Sequence, residues 1–238
     1  KVSLEMGGKN PTVIFDDADL SDEKLGTIVR SGFANQGEIC LCGSRVLVQR
    51  SIYDQFKGRY LARVKALRVG DPQDPSTDLG AIVSEQHHKK VTDSLARARD
   101  EGGTVLCGGD VPRVGGRCAN GWFVSPTVIE GLPQACATNR EEIFGPVVTL
   151  IPFDDEDEAI AMANDTNYGL AASVWTRDLS RARRVSAAID FGIVWINCWL
   201  VRDLRTPFGG VKHSGYGREG GTDALRFFTE PKNICIGD

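Results

Sequence analysis

Strand-length apolar runs alternate with helix-length amphipathic segments along almost the whole chain, and this alternation restricts the fold more than any other feature. Thr12–Phe15, Val46–Gln49, Thr104–Cys107, Val147–Pro152, Leu170–Trp175 and Ile193–Asn197 read as strands. A helix is predicted over 21–35, with Leu25, Ile28, Val29, Gly32 and Phe33 on one face. The next carries Ile52, Phe56, Tyr60, Val64 and Leu67 on one stripe. Ser84 can cap a helix reaching Glu101 and stopped by Gly102-Gly103. Further helices are expected over 154–164, 178–189 and 222–228. Phe123–Val124 and Val128–Ile129 read as short strands, and 108–121 as a surface loop. Asn233–Ile236 reads as a terminal strand suited to a sheet edge, that of a neighbouring subunit included. The pattern implies an α/β fold, an open, mostly parallel sheet with helices on both faces.

Composition narrows the function. With 238 residues and 41% hydrophobic content, the chain can bury a substantial core in one large domain or two small ones. Its 28 basic and 32 acidic residues give a net charge of -4 without a Lys/Arg cluster, which argues against a nucleic-acid partner. The longest apolar run, Ile193–Val201, is broken by Asn197 and falls short of the roughly 20 residues that span a bilayer. No basic-then-apolar leader opens the chain, so a cytoplasmic location is expected. Seven irregularly spaced cysteines suit reduced thiols. Cys40 and Cys42 form a C-x-C pair, but with three histidines and no second close cysteine pair, no metal site is expected.

The segment Asn35-Gln36-Gly37-Glu38-Ile39-Cys40-Leu41-Cys42-Gly43 places a cysteine on a glycine-bracketed loop between a helix and a strand. Glycines allow backbone conformations that other residues resist, so Cys40 is a candidate nucleophile presented to a cleft. Free cysteine is also among the most buried residue types, and Cys42 fits such a packing role better. Gly215-Tyr216-Gly217-Arg218-Glu219-Gly220 spells G-x-G-x-x-G but follows no strand-to-helix unit, so it is assigned to turn geometry.

Four motifs occur in order: Leu4-Glu5-Met6-Gly7-Gly8-Lys9-Asn10-Pro11, the Cys40 loop, Glu141-Glu142-Ile143-Phe144-Gly145-Pro146-Val147, and Pro207-Phe208-Gly209-Gly210-Val211-Lys212-His213-Ser214-Gly215. Together they resemble the aldehyde dehydrogenase superfamily, whose complete members are roughly twice as long. The resemblance implies the C-terminal half of such an enzyme with a three-layer catalytic domain. Residues 1–8 would end a cofactor-binding domain, 9–208 would form the catalytic domain, and 209–238 would serve oligomer contact. It implies Cys40 as nucleophile, with its own amide as an oxyanion donor, and Glu5 as the base that activates water. Met6 stands where leucine is common. Glu142 would bind the nicotinamide ribose of NAD, with NADP left open, Phe144 would lie near the nicotinamide ring, and Lys90 is a further candidate at the cofactor.

The run Cys198-Trp199-Leu200-Val201-Arg202-Asp203-Leu204-Arg205-Thr206 resembles the branch acting on muconic semialdehydes, which carry an aldehyde and a carboxylate. An arginine fork suits a carboxylate, so Arg202, with Arg205 in reserve, is the expected clamp. A surface loop salt-bridged through Asp203 is the competing reading. The expected partner is a small aldehyde, and a homo-oligomer, dimer or tetramer, is implied. Two other functions stay open: a thiol esterase acting through Cys40, and a non-catalytic association fragment.

Overall fold

The computed structural model describes residues 1–238. In chain order the elements are β1 (Leu4–Glu5), β2 (Pro11–Ile14), α1 (Asp22–Phe33), β3 (Arg45–Gln49), α2 (Tyr53–Lys65), α3 (Glu85–Asp100), β4 (Thr104–Cys107), β5 (Thr127–Glu130) and α4 (Ala137–Arg140). They continue with β6 (Val147–Phe153), α5 (Glu156–Asn164), β7 (Tyr168–Gly169), β8 (Ala171–Trp175), α6 (Leu179–Ala188), β9 (Ile193–Ile196), β10 (Val211–Lys212), β11 (Gly215–Tyr216) and α7 (Gly221–Phe228). Seven strands form one sheet in the order β4-β5-β6-β3-β2-β8-β9. All neighbours are parallel except β4, which runs antiparallel to β5 at one edge.

Side chains alternate across the strands, and both faces are apolar. Ile14, Val46, Val48, Val148 and Leu150 face one way and pack with Leu25, Ile28 and Phe33 of α1 and Phe56, Tyr60 and Val64 of α2. Val13, Leu47, Ile151 and Phe153 face the other way, against Ala159 and Ala163 of α5 and Val185 of α6. Val91, Leu95 and Ala98 of α3 cover Ile129 and Val147. The result is a three-layer α/β fold.

Local chemistry starts the helices. The Ser84 side chain accepts from the His87 amide at 3.2 Å, as expected of a cap, and Asp155 and Asp178 accept the first free amides of α5 and α6 in the same way. Glu85 on α3 and Glu156, Asp157 and Glu158 on α5 place negative charge in first turns, where the helix dipole favours it.

Three expectations need correction. Phe123 and Val124 are buried, but they lie in a loop: Trp122 accepts from the Ile82 amide and Ser125 donates to Asp110, so no ladder forms. The helix predicted to reach 35 ends at Phe33, because Asn35 and Gln36 turn left-handed, at φ 51° and 55°. Asn233–Ile236 forms no strand, since no edge of this chain pairs with it, and Ile234 and Ile236 lie exposed. Leu225 and Phe228 of α7 also face solvent. No helix is long and apolar enough to cross a membrane.

Arg45 holds the start of β3 to the end of α5. It is fully buried, and its guanidinium donates to the carbonyl oxygens of Lys9 at 3.0 Å, Met162 at 2.8 Å and Ala163 at 2.7 Å. The last two belong to the final turn of α5, where the Ala163 carbonyl has no backbone partner, the Met162 carbonyl has only the Asp165 amide at 3.3 Å, and the dipole favours a cation. Burial brings Arg45 down to about 10, so it stays charged at neutral pH. Arg45→Met should therefore lower stability by about 2 kcal/mol, the cost of leaving the Lys9 and Ala163 carbonyls unpaired offset partly by removing a buried charge, since the Met162 carbonyl keeps the Asp165 amide at 3.3 Å. Urea unfolding of the two proteins measures this directly.

Candidate active site

Cys40 sits in a turn from Ile39 to Cys42, closed by the Cys42 amide donating to the Ile39 carbonyl at 2.9 Å. The loop reaches this turn through Asn35, Gln36 and Gly37, all left-handed. At Gly37, φ is 73° and an added Cβ would lie 2.1 Å from the Gly145 carbonyl oxygen, so the Cys40 loop and the Phe144 loop touch backbone to backbone. Gly43 is needed for a different reason: a Cβ there would meet the Thr12 hydroxyl at 2.3 Å. Cys40 itself is half-buried, whereas Cys42 is buried and its Sγ faces the Ala34 carbonyl, a packing position.

Asn10 fixes the turn. Its Nδ2 donates to the carbonyls of Cys40 at 2.7 Å and Cys42 at 2.9 Å, and its Oδ1 accepts from the Ala171 amide at 3.1 Å. Neither Asn10 nor Arg45 drew a role from sequence reasoning, although Asn10 lies inside a quoted motif. Lys9, beside them, is 1% exposed. Burial and then the Arg45 cation bring it down to about 7, against the pull of Glu142.

Glu5 ends β1, which pairs antiparallel with β11, so the first motif lies against the Gly-rich segment near the end of the chain. A Cβ on Gly209 would come within 2.9 Å of Glu5 Oε1. Both carboxyl oxygens are sheltered and unpartnered, the nearby Gly210 amide closing no bond of normal geometry. Burial raises the Glu5 pKa and Glu219 adds to it, while the Gly210 amide, Arg218 and Arg202 oppose. Gly217 and Gly220 are left-handed, and β11 follows β10 directly, so the G-x-G-x-x-G string is turn geometry here.

Glu142 lies across from these groups. Its Oε1 accepts from the Gly8 amide at 2.8 Å, and a Cβ on Gly7 would lie 2.2 Å from its Oε2. Burial raises its pKa, against the Gly8 amide, Lys90, Lys9 and His87. Glu142 and Lys90 line one polar cleft of about 390 Å³ with Lys89 and Arg97. Phe144 follows at φ 60°.

The two arginines separate. Arg202 lies over the Phe208 ring at 4.2 Å, and its charge acts on both Glu5 and Cys40. Arg205 is bound to Asp203, at 2.6 Å from Nη2, so the salt bridge expected of a surface loop belongs to Arg205 and not to Arg202. The structure does not bring Arg205 to Cys40.

Burial raises the Cys40 thiol, and the charges of Glu142 and then Glu5 raise it further, with Arg202 opposing. The surroundings therefore disfavour the thiolate. The alkylation rate of Cys40 should climb with a midpoint above the 9.0 of an unperturbed thiol. Glu5→Gln removes a negative charge that disfavours the thiolate, so that midpoint should move down. Peptide mass spectrometry of iodoacetamide labelling at Cys40 across pH reads both, and an upward move in Glu5→Gln would contradict the arrangement.

A thiol, two sheltered carboxylates and an arginine, drawn from four separate segments of the chain, are the groups of a candidate cysteine-based site. The sequence profile described as "Aldehyde dehydrogenase family" matches residues 1–234, and the chain belongs to that family. It is 50% identical to a 2-aminomuconic semialdehyde dehydrogenase from Danio rerio over 99% of this chain and 49% of that protein. It is 48% identical to a 2-hydroxymuconic semialdehyde dehydrogenase from Pseudomonas sp. (strain CF600), over 99% of this chain and 48% of that protein. Among solved structures, betaine aldehyde dehydrogenase from Staphylococcus aureus in complex with NAD+ is similar at a TM-score of 0.90 and 40% identity, covering 96% of this chain and 45% of the other. The chain thus spans about half the length of the relatives it matches.

Proposed function

We propose that this chain carries the thiol site of an NAD-dependent aldehyde dehydrogenase that oxidises a carboxylate-bearing semialdehyde to the acid, with NADP as the alternative cofactor. The approach of Glu142 and Cys40 to the same glycine carries the reading: the Gly8 amide donates to Glu142 Oε1 at 2.8 Å, and a Cβ on Gly8 would lie 2.6 Å from the Cys40 carbonyl oxygen, while Glu5 adds its charge near the thiol. The 48–50% identity to muconic semialdehyde dehydrogenases supports the substrate class.

Cys40 attacks the aldehyde carbon as its thiol proton passes to the Glu5 carboxylate and the carbon–sulfur bond forms, and Glu5 gives that proton up to solvent before the thioester is hydrolysed. The Cys40 amide is the oxyanion donor this chain offers. A raised pKa makes Glu5 a stronger base than an ordinary carboxylate, suited to take a proton from water as it attacks the thioester. That attack breaks the carbon–sulfur bond and releases the acid, and the proton Glu5 took from water returns the sulfur to the thiol. Glu142 has Oε1 occupied by Gly8 and Oε2 left to accept from a ribose hydroxyl, and Lys90 and Phe144 flank it, so the residues fit a nicotinamide cofactor. When bound, that cofactor supplies the hydride acceptor for the step from adduct to thioester.

Arg202, lying over Phe208 and near Cys40, is the proposed clamp for the substrate carboxylate, with Arg205 the more distant reserve. Residues 1–8 are the proposed edge of a cofactor domain, 9–208 the catalytic domain, and 209–238 the oligomer contact. The exposed Leu225, Phe228, Ile234 and Ile236 are the surface a partner subunit would cover in a dimer or tetramer.

NADH formation from a muconic-type semialdehyde, measured beside Cys40→Ser, tests the activity. Turnover abolished by the substitution supports it. No NADH together with Cys40-dependent ester cleavage would favour a thiol esterase, and no reaction of either kind would favour an association role. For Arg202→Ala, KM for the carboxylated aldehyde should rise about tenfold or more, as expected for a lost charge-assisted contact, with little change for a neutral aldehyde. Equal losses on both substrates would sink the clamp.

A further inference from the structure

Two loops of the site meet along a seam, and a histidine with no part in the chemistry above bridges it. His87 lies in the first turn of α3, its backbone amide held by the Ser84 hydroxyl at 3.2 Å. Its Nε2 lies 2.5 Å from the carbonyl oxygen of Phe144 and 3.5 Å from Oε1 of Glu38. A carbonyl only accepts, so Nε2 carries the proton and donates it, which assigns the tautomer from the partner. The ring also meets Phe144 edge-on, with centroids 5.7 Å apart.

Both ends of this bridge are constrained. Phe144 is left-handed, a conformation that an L side chain holds only when its surroundings impose it. Glu38 stands two residues before Cys40, with its side chain 6% exposed. Its Oε1 also accepts from the Val83 amide at 3.2 Å, and Gln36 Oε1 accepts from Gly80 at 2.9 Å. The segment leading into α3 therefore grips the Cys40 loop, while His87 grips the Phe144 loop. At Gly37 and Gly145 the same two loops touch directly.

We infer that His87 is a positioning residue whose Nε2–H, given to the Phe144 carbonyl beside Glu38, locks the cofactor-facing loop to the nucleophile loop. The assignment rests on the proposed roles of Cys40 and Phe144. It predicts that the two loops loosen together when that one donor is lost.

Glutamine and asparagine separate the donor from simple bulk. His87→Gln can place an amide N–H where Nε2–H lies, whereas the shorter side chain in His87→Asn leaves it out of reach. In the full chain, hydrogen exchange in 36–42 and 141–147 should quicken about tenfold in His87→Asn, the scale of one lost hydrogen bond, and return toward wild type in His87→Gln. Distant segments such as β8 should not change. KM for NAD should rise in His87→Asn with kcat little altered, and glutamine should restore it. Unchanged exchange in either loop, or a glutamine variant no better than asparagine, overturns the lock. A wild-type chain without any nucleotide dependence would refute the cofactor reading instead, and the exchange result would still decide whether the loops are coupled.

Discussion

Asn10 is 2% exposed, and its side-chain amide is engaged on both atoms: Nδ2 with the carbonyls of Cys40 and Cys42, Oδ1 with the Ala171 amide. The Cys40 turn leaves the regular ladders, and such backbone exposes carbonyls that cannot be buried unpaired. One amide side chain meets that need for the Cys40 turn and ties it to the start of β8. Asn10 itself leads into β2, and the Arg45 amide donates back to its carbonyl at 3.2 Å. The turn is thereby referenced to three adjacent strands of the sheet, and the thiol inherits their rigidity.

The site gathers where β2, β3, β6 and β8 begin: Asn10, the Cys40 turn, the Glu142–Phe144 loop and Ala171 each precede or open one of them. The final turn of α1 points into the Cys40 loop, and that end of a helix favours cations over thiolates. Burial, Glu142 and Glu5 act in the same sense, and Arg202 is the cation set against them. A thiol kept protonated is a poor target for adventitious oxidants and alkylating agents. In the proposed reaction the same carboxylates that disfavour the thiolate would act as base and hydrogen-bond acceptor, so restraint of the thiol and completion of the reaction would come from shared groups.

The sheet was legible because its strands are apolar on both faces and its helices carry a single apolar stripe, and periodicity reports burial. Phe123 and Val124 misled for the same reason: they are buried, but burial without a neighbouring strand yields loop. Asn233–Ile236 has strand chemistry but finds no edge within this chain, which no local pattern encodes. Lys9 and Arg45 were invisible as core residues, because charge in a sequence reads as surface. Only the fold shows carbonyls of α5 waiting for Arg45. The site motifs were readable as strings, yet the reasons for Gly37 and Gly43 proved to be different, one a left-handed backbone and one close packing against Thr12.

Arg202 and Arg205 illustrate how three-dimensional context divides identical residues. Three positions apart on an exposed segment, they offer the same guanidinium and flank the same aspartate. Asp203 satisfies Arg205 locally, through its own turn, with the Arg205 amide and side chain both donating to it. An arginine so engaged would have to break those bonds before binding a substrate carboxylate. Arg202 instead rests its guanidinium on Phe208, an apolar face that leaves the N–H edge free to donate. Phe208 in turn packs in the cluster of Leu41, Leu170, Trp195 and Trp199 behind Cys40. An anion drawn to Arg202 would therefore sit beside the apolar cluster against which Cys40 also packs, with the proposed binding group and the proposed nucleophile mounted on one piece of core.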